Sequence, residues 1–196
     1  MILNDIKVYD GVLLHKRFAY RFFREKCLPI GNIIAFRAPA KVETDGLIDQ
    51  EDSLNKDFIY SEDMLHFLYE IPLITESFGA IAYQRMFNTI IANLLHKYVN
   101  APIEVDGDDL MVTKEFTQGG VTQQKGKCSV SIVHVKDGAA LGHTGINVVA
   151  GKQAPAFAYS TGLSDIDCNN FMAEVINNFY QVNDNIFIAS TKIISH

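Results

Sequence analysis

Three groups of polar residues in this chain could do chemistry. The first is Arg17, Tyr20, Arg21 and Arg24 on one short segment, with Arg37 ending the apolar run Gly31–Arg37. Guanidinium forks bind carboxylate or phosphate through paired bonds, so this group points to an anionic ligand. The plainer reading is a solvated, salt-bridged face. The second group is Asp49, Glu51 and Asp52, then Ser61, Glu62, Asp63, His66 and Glu70. Glu62, His66 and Glu70 recur every four residues, the spacing of one helical face. Carboxylate and imidazole there could ligate a metal or move a proton. An ionised carboxylate could also accept the adjacent N–H donors of a guanine-like base. The plainer reading is helix-capping chemistry for Glu62 and Asp63 and a core histidine at 66. The third group is Lys127, Ser129 and Ser131 on one alternating run, and His143, Gly145 and Asn147 on the next. A lysine there could hold an anion or donate a proton; as an edge charge it would only discourage aggregation.

Certain elements must position these groups. Alternation over 2–8 predicts a strand, with Asp10-Gly11 as a turn and a hairpin return through Val12–Leu14. The segment from His15 to Glu25 reads as a short helix ended before Pro29. Residues 31–37 form a buried strand, and 38–60 an irregular connection. Ser61 reads as an N-cap with Glu62 and Asp63 in the first turn, which predicts a helix over 61–71 that stops at Pro72. Apolar positions from Met86 to Tyr98 predict a helix over 79–98. Residues 103–113 read as a hairpin, 114–126 as a flexible loop, and 127–136 and 141–149 as paired strands. A helix is expected over 167–182, and a last short strand over Asn185–Ile194. The fold class is α+β, with one domain over 1–196 and a mixed, mostly antiparallel sheet covered by helices.

Composition limits the possible roles. The chain has 196 residues, 48% apolar and 20% charged, which excludes disorder and coiled coil. A net charge of −6 argues against direct nucleic-acid binding through bulk charge. Three widely spaced cysteines, Cys27, Cys128 and Cys168, fit neither a disulfide framework nor a zinc ribbon, so a reducing cytoplasm is expected. Asp5 and Asp10 interrupt the beginning of the chain where a signal peptide would be apolar. No apolar stretch reaches the roughly 18–20 residues of a membrane span, so no membrane role is expected. P-loop, dinucleotide and nucleophile-elbow motifs do not occur.

With these residues in view, the chain resembles the domain of unknown function 366 family. The matching stretches are Ala19-Tyr20-Arg21, Phe36-Arg37, Ile48-Asp49 with Glu51-Asp52, Ser61-Glu62-Asp63-Met64 with His66 and Glu70, Gly107-Asp108-Asp109, Lys127 with Ser129 and Ser131, and His143 with Gly145 and Asn147. That resemblance implies the catalytic fold shared by biotin and lipoate protein ligases and class II synthetases. Lys127–Ile132 is similar to the ligase strand whose lysine holds the acyl-phosphate, and Gly145–Val148 to the strand that follows. The ligases' glycine- and arginine-rich adenylate loop has no counterpart between residues 9 and 60. Family members in bacterial viruses resemble proteins encoded beside 7-deazaguanine synthesis genes, which supply modified guanine for DNA.

The activity this implies is decarboxylation of 7-carboxy-7-deazaguanine to 7-deazaguanine, in the host cytoplasm if the source is viral. One of Lys127, His66 and His143 would be the proton donor. Arg21, Arg37, Glu51, Asp52, Glu62, Asp63, Ser129 and Asn147 would bind substrate, and all these groups should face one pocket. Neither a metal nor a cofactor is expected; the partners are a guanine-like base or small carboxylic acid and a second copy in a homodimer. The alternatives are an acyl-adenylate or acyl-transfer enzyme of the ligase type, and a non-catalytic small-ligand binding module.

Overall fold

The computed structural model describes residues 1–193. Its strands are β1 (Ile2–Leu3), β2 (Asn32–Val42), β3 (Ile59–Ile71), β4 (Ile103–Asp106), β5 (Asp109–Gln118), β6 (Val121–Lys127), β7 (Ser129–Lys136) and β8 (Ala139–Val149). Its helices are α1 (Ala19–Phe23), α2 (Gln50–Asn55), α3 (Ser77–Val99) and α4 (Asp165–Ser190). A five-stranded sheet runs β1-β2-β3-β8-β7 and a three-stranded sheet β4-β5-β6. Within the larger sheet β1 pairs parallel with β2, and the other pairs are antiparallel. The fold is thus α+β, as the sequence predicts.

Each face of the larger sheet is covered differently. On one face, Ile33, Leu65, Phe67, Tyr69 and Ile146 pack against Phe87 and Ile91 of α3 and Phe171 and Phe179 of α4. Truncating a ring such as Phe87, which is fully buried, should cost about 3–5 kcal/mol. Both helices have explicit ends. Ser164 caps α4 by accepting from Asp167 N, with Asp165 and Asp167 in the first turn, where negative charge suits the helix dipole. Asn100 closes α3 in the left-handed region, behind His96 and Lys97 in the last turn. On the other face, Tyr9, Leu14 and Phe18 of the N-terminal segment cover Ile34, Phe36, Leu68 and Leu141. That second layer is mostly loop and 3-10 turn, and it leaves room for a cavity.

Several sequence expectations need correction. The helix expected over 61–71 is strand β3. This strand lies between β2 and β8, and every residue from Met64 to Ile71 is buried. With both faces covered, apolar residues fill odd and even positions alike, so the two-residue period disappears. Glu62, His66 and Glu70 are therefore not stacked over two helical turns. At about 3.3 Å per residue, eight residues of strand separate the outer two by about 26 Å. The loop expected over 114–126 is the β5–β6 hairpin, turned at Gly119-Gly120, both with positive φ. Val12–Leu14 lies in a 3-10 turn rather than a hairpin strand, and only Ile2–Leu3 of 2–8 forms strand. The irregular connection is partly ordered: β2 runs on to Val42, and α2 lies within it. Helix α4 continues through 185–190 in place of the expected last strand; Ile194 lies outside the described residues.

Candidate functional site

A cavity of about 810 Å³ opens beside the N-terminal layer. Val130 and Ile132 of β7 and His143 and Asn147 of β8 line it, with Tyr9 and Leu14, the 46–60 segment, Asp108-Asp109 and the 153–158 loop. Of the expected site residues, Lys127, His143, Ser129, Asn147, Glu51 and Asp52 line this cavity.

Lys127 is positioned by its backbone. Its N–H donates to Phe157 O and its carbonyl accepts from Tyr159 N, each at 2.8 Å, as β6 passes into β7. Its Nζ lies 2.7 Å from Asp109 Oδ1. The ion pair is about 30% exposed at both ends and so sits at a half-open wall. Ser129 holds the neighbouring geometry, its Oγ accepting from Leu110 N at 2.8 Å and tying β7 to β5.

His143 and His66 form a buried relay. His66 Nε2 is 3.0 Å from Ala38 O, and a carbonyl only accepts, so Nε2 carries the proton. His66 Nδ1 is then an acceptor, 3.0 Å from His143 Nε2, which must donate to it. By elimination His143 Nδ1 holds a lone pair. Burial drives the His66 pKa down to about 3, and burial with His66 alongside drives His143 well below its ordinary value. Tyr9 stacks on His143 with ring centroids 4.3 Å apart, and Phe36 stacks on His66 at 4.7 Å. Both imidazoles are therefore neutral and fixed. His143 offers the cavity an acceptor, whereas His66 lies behind it.

The charged part of the lining is mostly acidic. Asp49, Glu51, Asp52, Asp57, Asp108 and Asp109 contribute six carboxylates; Lys127 is the one lysine or arginine that lines the cavity among the described residues, and Arg85 pairs with Asp108 from outside it at 3.4 Å. Asp49 caps α2, accepting from Glu51 N at 2.8 Å and Asp52 N at 3.3 Å. The Asp52 pKa is raised by partial burial first and then by the charges of Asp49 and Asp57, with Lys127 opposing. Among the described residues no group of three or more His, Cys, Asp or Glu is arranged to hold a metal ion.

The expected convergence fails for five residues: His66, which lies behind the cavity, and Arg21, Arg37, Glu62 and Asp63. Arg37 is adjacent to Phe36 in β2, so its side chain points to the opposite face of the sheet. There it grips Asp63 through Nε and Nη2, at 2.9 and 2.7 Å, and reaches Asp165 with Nη1 at 2.6 Å. Asp63 and then Asp165 hold that guanidinium above its ordinary pKa. Arg37 and Asp63 thus fasten α4 to the sheet. Arg21 is exposed, with its guanidinium 5.4 Å from the centre of the Phe22 ring. Glu62 is exposed and accepts from Lys152 N at 3.1 Å. Glu70 is likewise structural: it is buried and accepts from Arg17 Nε, Phe18 N and Ala19 N at 2.7–2.8 Å.

Sequence reasoning misses Tyr9, Asp57, Tyr60 and Gln153, which also line the cavity. Tyr9 precedes Asp10-Gly11, so its sequence context signals only a turn. Gln153 sits in a loop with no periodicity to mark it.

This sheet, with two helices on one face and a small-molecule-sized cavity on the other, is similar in fold to biotin and lipoate protein ligases. A biotin protein ligase from Aquifex aeolicus in complex with biotin and ATP superposes with a TM-score of 0.56 at 14% identity, covering 93% of this chain and 70% of that one. P. falciparum LipL1 in complex with lipoate gives a TM-score of 0.54 at 12% identity, covering 100% of this chain and 63% of that one. A protein of unknown function from Pyrococcus horikoshi matches with a TM-score of 0.82 at 24% identity, over 100% of this chain and 98% of that one. The chain belongs to the family described as domain of unknown function (DUF366), whose model matches residues 1–194. No curated protein matches it in sequence. No helix among the described residues is long and apolar enough to cross a membrane.

Proposed function

We propose that this protein is a small-molecule enzyme that removes the carboxylate of 7-carboxy-7-deazaguanine, releasing CO2 and 7-deazaguanine. The observation that carries this reading is a single ammonium, Lys127, among six carboxylates in one cavity. The substrate class comes from the family resemblance, and the cavity supplies groups for each role. A guanine edge presents adjacent N–H donors, which suit carboxylate acceptors such as Glu51 and Asp52. Heterolysis of the bond from C7 to the carboxylate leaves the electron pair on C7 and releases neutral CO2. The Lys127 ammonium gives its proton to that carbon, and water restores the proton to the amine. General-acid help of this kind contributes typically ~10²–10⁴-fold, and the same cation offsets the developing negative charge. Asp109 holds the ammonium in place. A substrate carboxylate touching Lys127 also lies near Asp109, and that repulsion is relieved when CO2 leaves.

The neutral histidines change the roles assigned from sequence. A resting His143 that presents a lone pair cannot donate a proton at Nδ1, and His66 does not reach the cavity. Lys127 is therefore the acid in this reading.

A second reading is favoured by the fold: acyl-adenylate or acyl-transfer chemistry, with Lys127 on an acyl-phosphate. The acidic lining weighs against it, because a polyphosphate would meet one cation and six carboxylates. The two readings separate in one set of incubations. Pure protein is supplied with 7-carboxy-7-deazaguanine, with and without ATP and divalent metals, and products are followed by mass spectrometry. In parallel, ATP–pyrophosphate exchange is measured with biotin, lipoate and other carboxylic acids. Loss of CO2 without ATP supports the decarboxylase. Exchange dependent on a carboxylic acid supports the ligase type. Recovery of every compound unchanged leaves the binding module.

A further inference from the structure

Two acceptors on the cavity floor have no partner in the protein. Asn147 is 5% exposed and lines the cavity, and its Oδ1 is buried without a hydrogen bond. Its backbone is pinned, with N–H donating to Cys128 O at 2.8 Å and the carbonyl accepting from Thr161 Oγ1 at 2.7 Å. The main chain is therefore fixed at this position, and Oδ1 is left without a partner. On the same strand His143 presents its Nδ1 lone pair, because His66 takes the proton on the other nitrogen and Ala38 O fixes His66 in turn. A buried acceptor left unpaired is unfavourable, and proteins keep few of them. Positions 143 and 147 lie four residues apart on one strand, about 13 Å along it. That span suits the two ends of a fused bicyclic ring better than a single small group.

We infer that Asn147 and His143 form a donor-reading floor that selects a flat heterocycle by its N–H groups, with His66 as the positioning residue that locks His143 in its accepting tautomer. This rests on the reading of the cavity as a heterocycle site and deepens it. Carboxylate and phosphate present only acceptors and are turned away from the floor. The substrate carboxylate is thereby directed toward Lys127.

The test is NMR of protein carrying ¹⁵N-labelled histidine, with 7-deazaguanine as the probe. In the free protein at pH 7, His143 and His66 should each show a protonated Nε2 and an unprotonated Nδ1. Saturation with 7-deazaguanine should move the His143 Nδ1 resonance upfield from its unprotonated position, and leave His66 nearly unchanged. Asn147→Leu and His143→Phe should each weaken 7-deazaguanine binding about tenfold or more, roughly one hydrogen bond. His66→Gln should leave His143 as a mixture of tautomers. A protonated Nδ1 on His143 in the free wild-type protein would overturn the inference, as would 7-deazaguanine binding with no change at His143, or no binding at millimolar concentration. The wild-type spectra decide even if a variant fails to fold. Should 7-deazaguanine bind through this floor while its carboxylated form is left intact, the floor stands and the decarboxylase reading falls. Should CO2 be released with His143 unmoved and the Asn147→Leu affinity unchanged, the reverse holds.

Discussion

Lys127 Nζ lies 2.7 Å from Asp109 Oδ1, at the wall of a cavity that holds no second lysine or arginine among the described residues. The pair joins the end of β6 to the start of β5, so its geometry depends on the small sheet. If Lys127 supplies the proton, Lys127→Ala should lower kcat by about 10²-fold or more while changing 7-deazaguanine affinity little, because that base lacks the carboxylate and the proton is needed only at the transition state. Single-turnover kinetics beside equilibrium binding of 7-deazaguanine would show this. An equal loss in both would make Lys127 a binding group only.

The acidic rim gives a second contrast. Asp52→Asn should weaken binding of a guanine-like base about tenfold, because a carboxylate accepts two N–H bonds where an amide oxygen is one acceptor. Glu62→Gln should leave binding unchanged, since Glu62 caps the Lys152 N–H outside the cavity. Isothermal titration with 7-deazaguanine measures both. Equal effects would return Glu62 to the site.

Stability should depend on pH through the two buried histidines. Burial holds His66 at about 3 and His143 far below 6.5 in the folded protein, whereas both take 6.5 as their ordinary value when unfolded. Above about pH 6.5 neither state binds these protons and the effect vanishes. Below it the unfolded chain binds more, so stability falls as pH falls, by up to about 1.4 kcal/mol per pH unit for each histidine. For His66 that fall continues to about pH 3. Urea unfolding of wild type and of the His66→Phe, His143→Phe double variant from pH 7 to 4 isolates the contribution as the difference in slope. Parallel curves would mean that both histidines take up protons in the fold as readily as in the unfolded chain.

Glu70 and Gly142 test the packing that supports the site. Glu70→Ala removes the acceptor of Phe18 N, Ala19 N and Arg17 Nε. The expected loss is about 3 kcal/mol, with binding in the cavity retained. Gly142→Ala drives a methyl into the buried Tyr69 ring and should cost about 1–3 kcal/mol or more. Gly145→Ala meets the flexible Met64 side chain first and should cost less. Urea midpoints rank the three; a neutral Gly142→Ala would contradict the tight contact.

What could be read from sequence follows from how each segment is buried. Helix α3 carries its periodicity openly, because one face meets the sheet and the other meets water. The β7 and β8 runs are bounded by Asp137-Gly138, and pairing them as a hairpin is enough to bring Lys127, Ser129, His143 and Asn147 near one another. Strand β3 defeats the same reasoning. Its centre is buried on both faces, and Ser61-Glu62-Asp63 imitates a helix start while serving a strand irregularity beside Ala38 and Ala40. Arg37 shows the limit for single residues. Its place after an aromatic at a strand end suggests a ligand site, but the alternation of the strand turns it to the helix face, where Asp63 and Asp165 use all its charge. Tyr9 and Gln153 carry no pattern, because loop residues reach the cavity through tertiary contacts alone.

The most direct test of the proposed function is incubation of the pure wild-type protein with 7-carboxy-7-deazaguanine, without ATP or added metal, followed by mass spectrometry of the base and detection of released CO2. The expected result is 7-deazaguanine and CO2 in equal amounts, formed about 10²-fold or more slowly by Lys127→Ala. Substrate recovered unchanged under these conditions, and still unchanged with ATP and divalent ions, would contradict it.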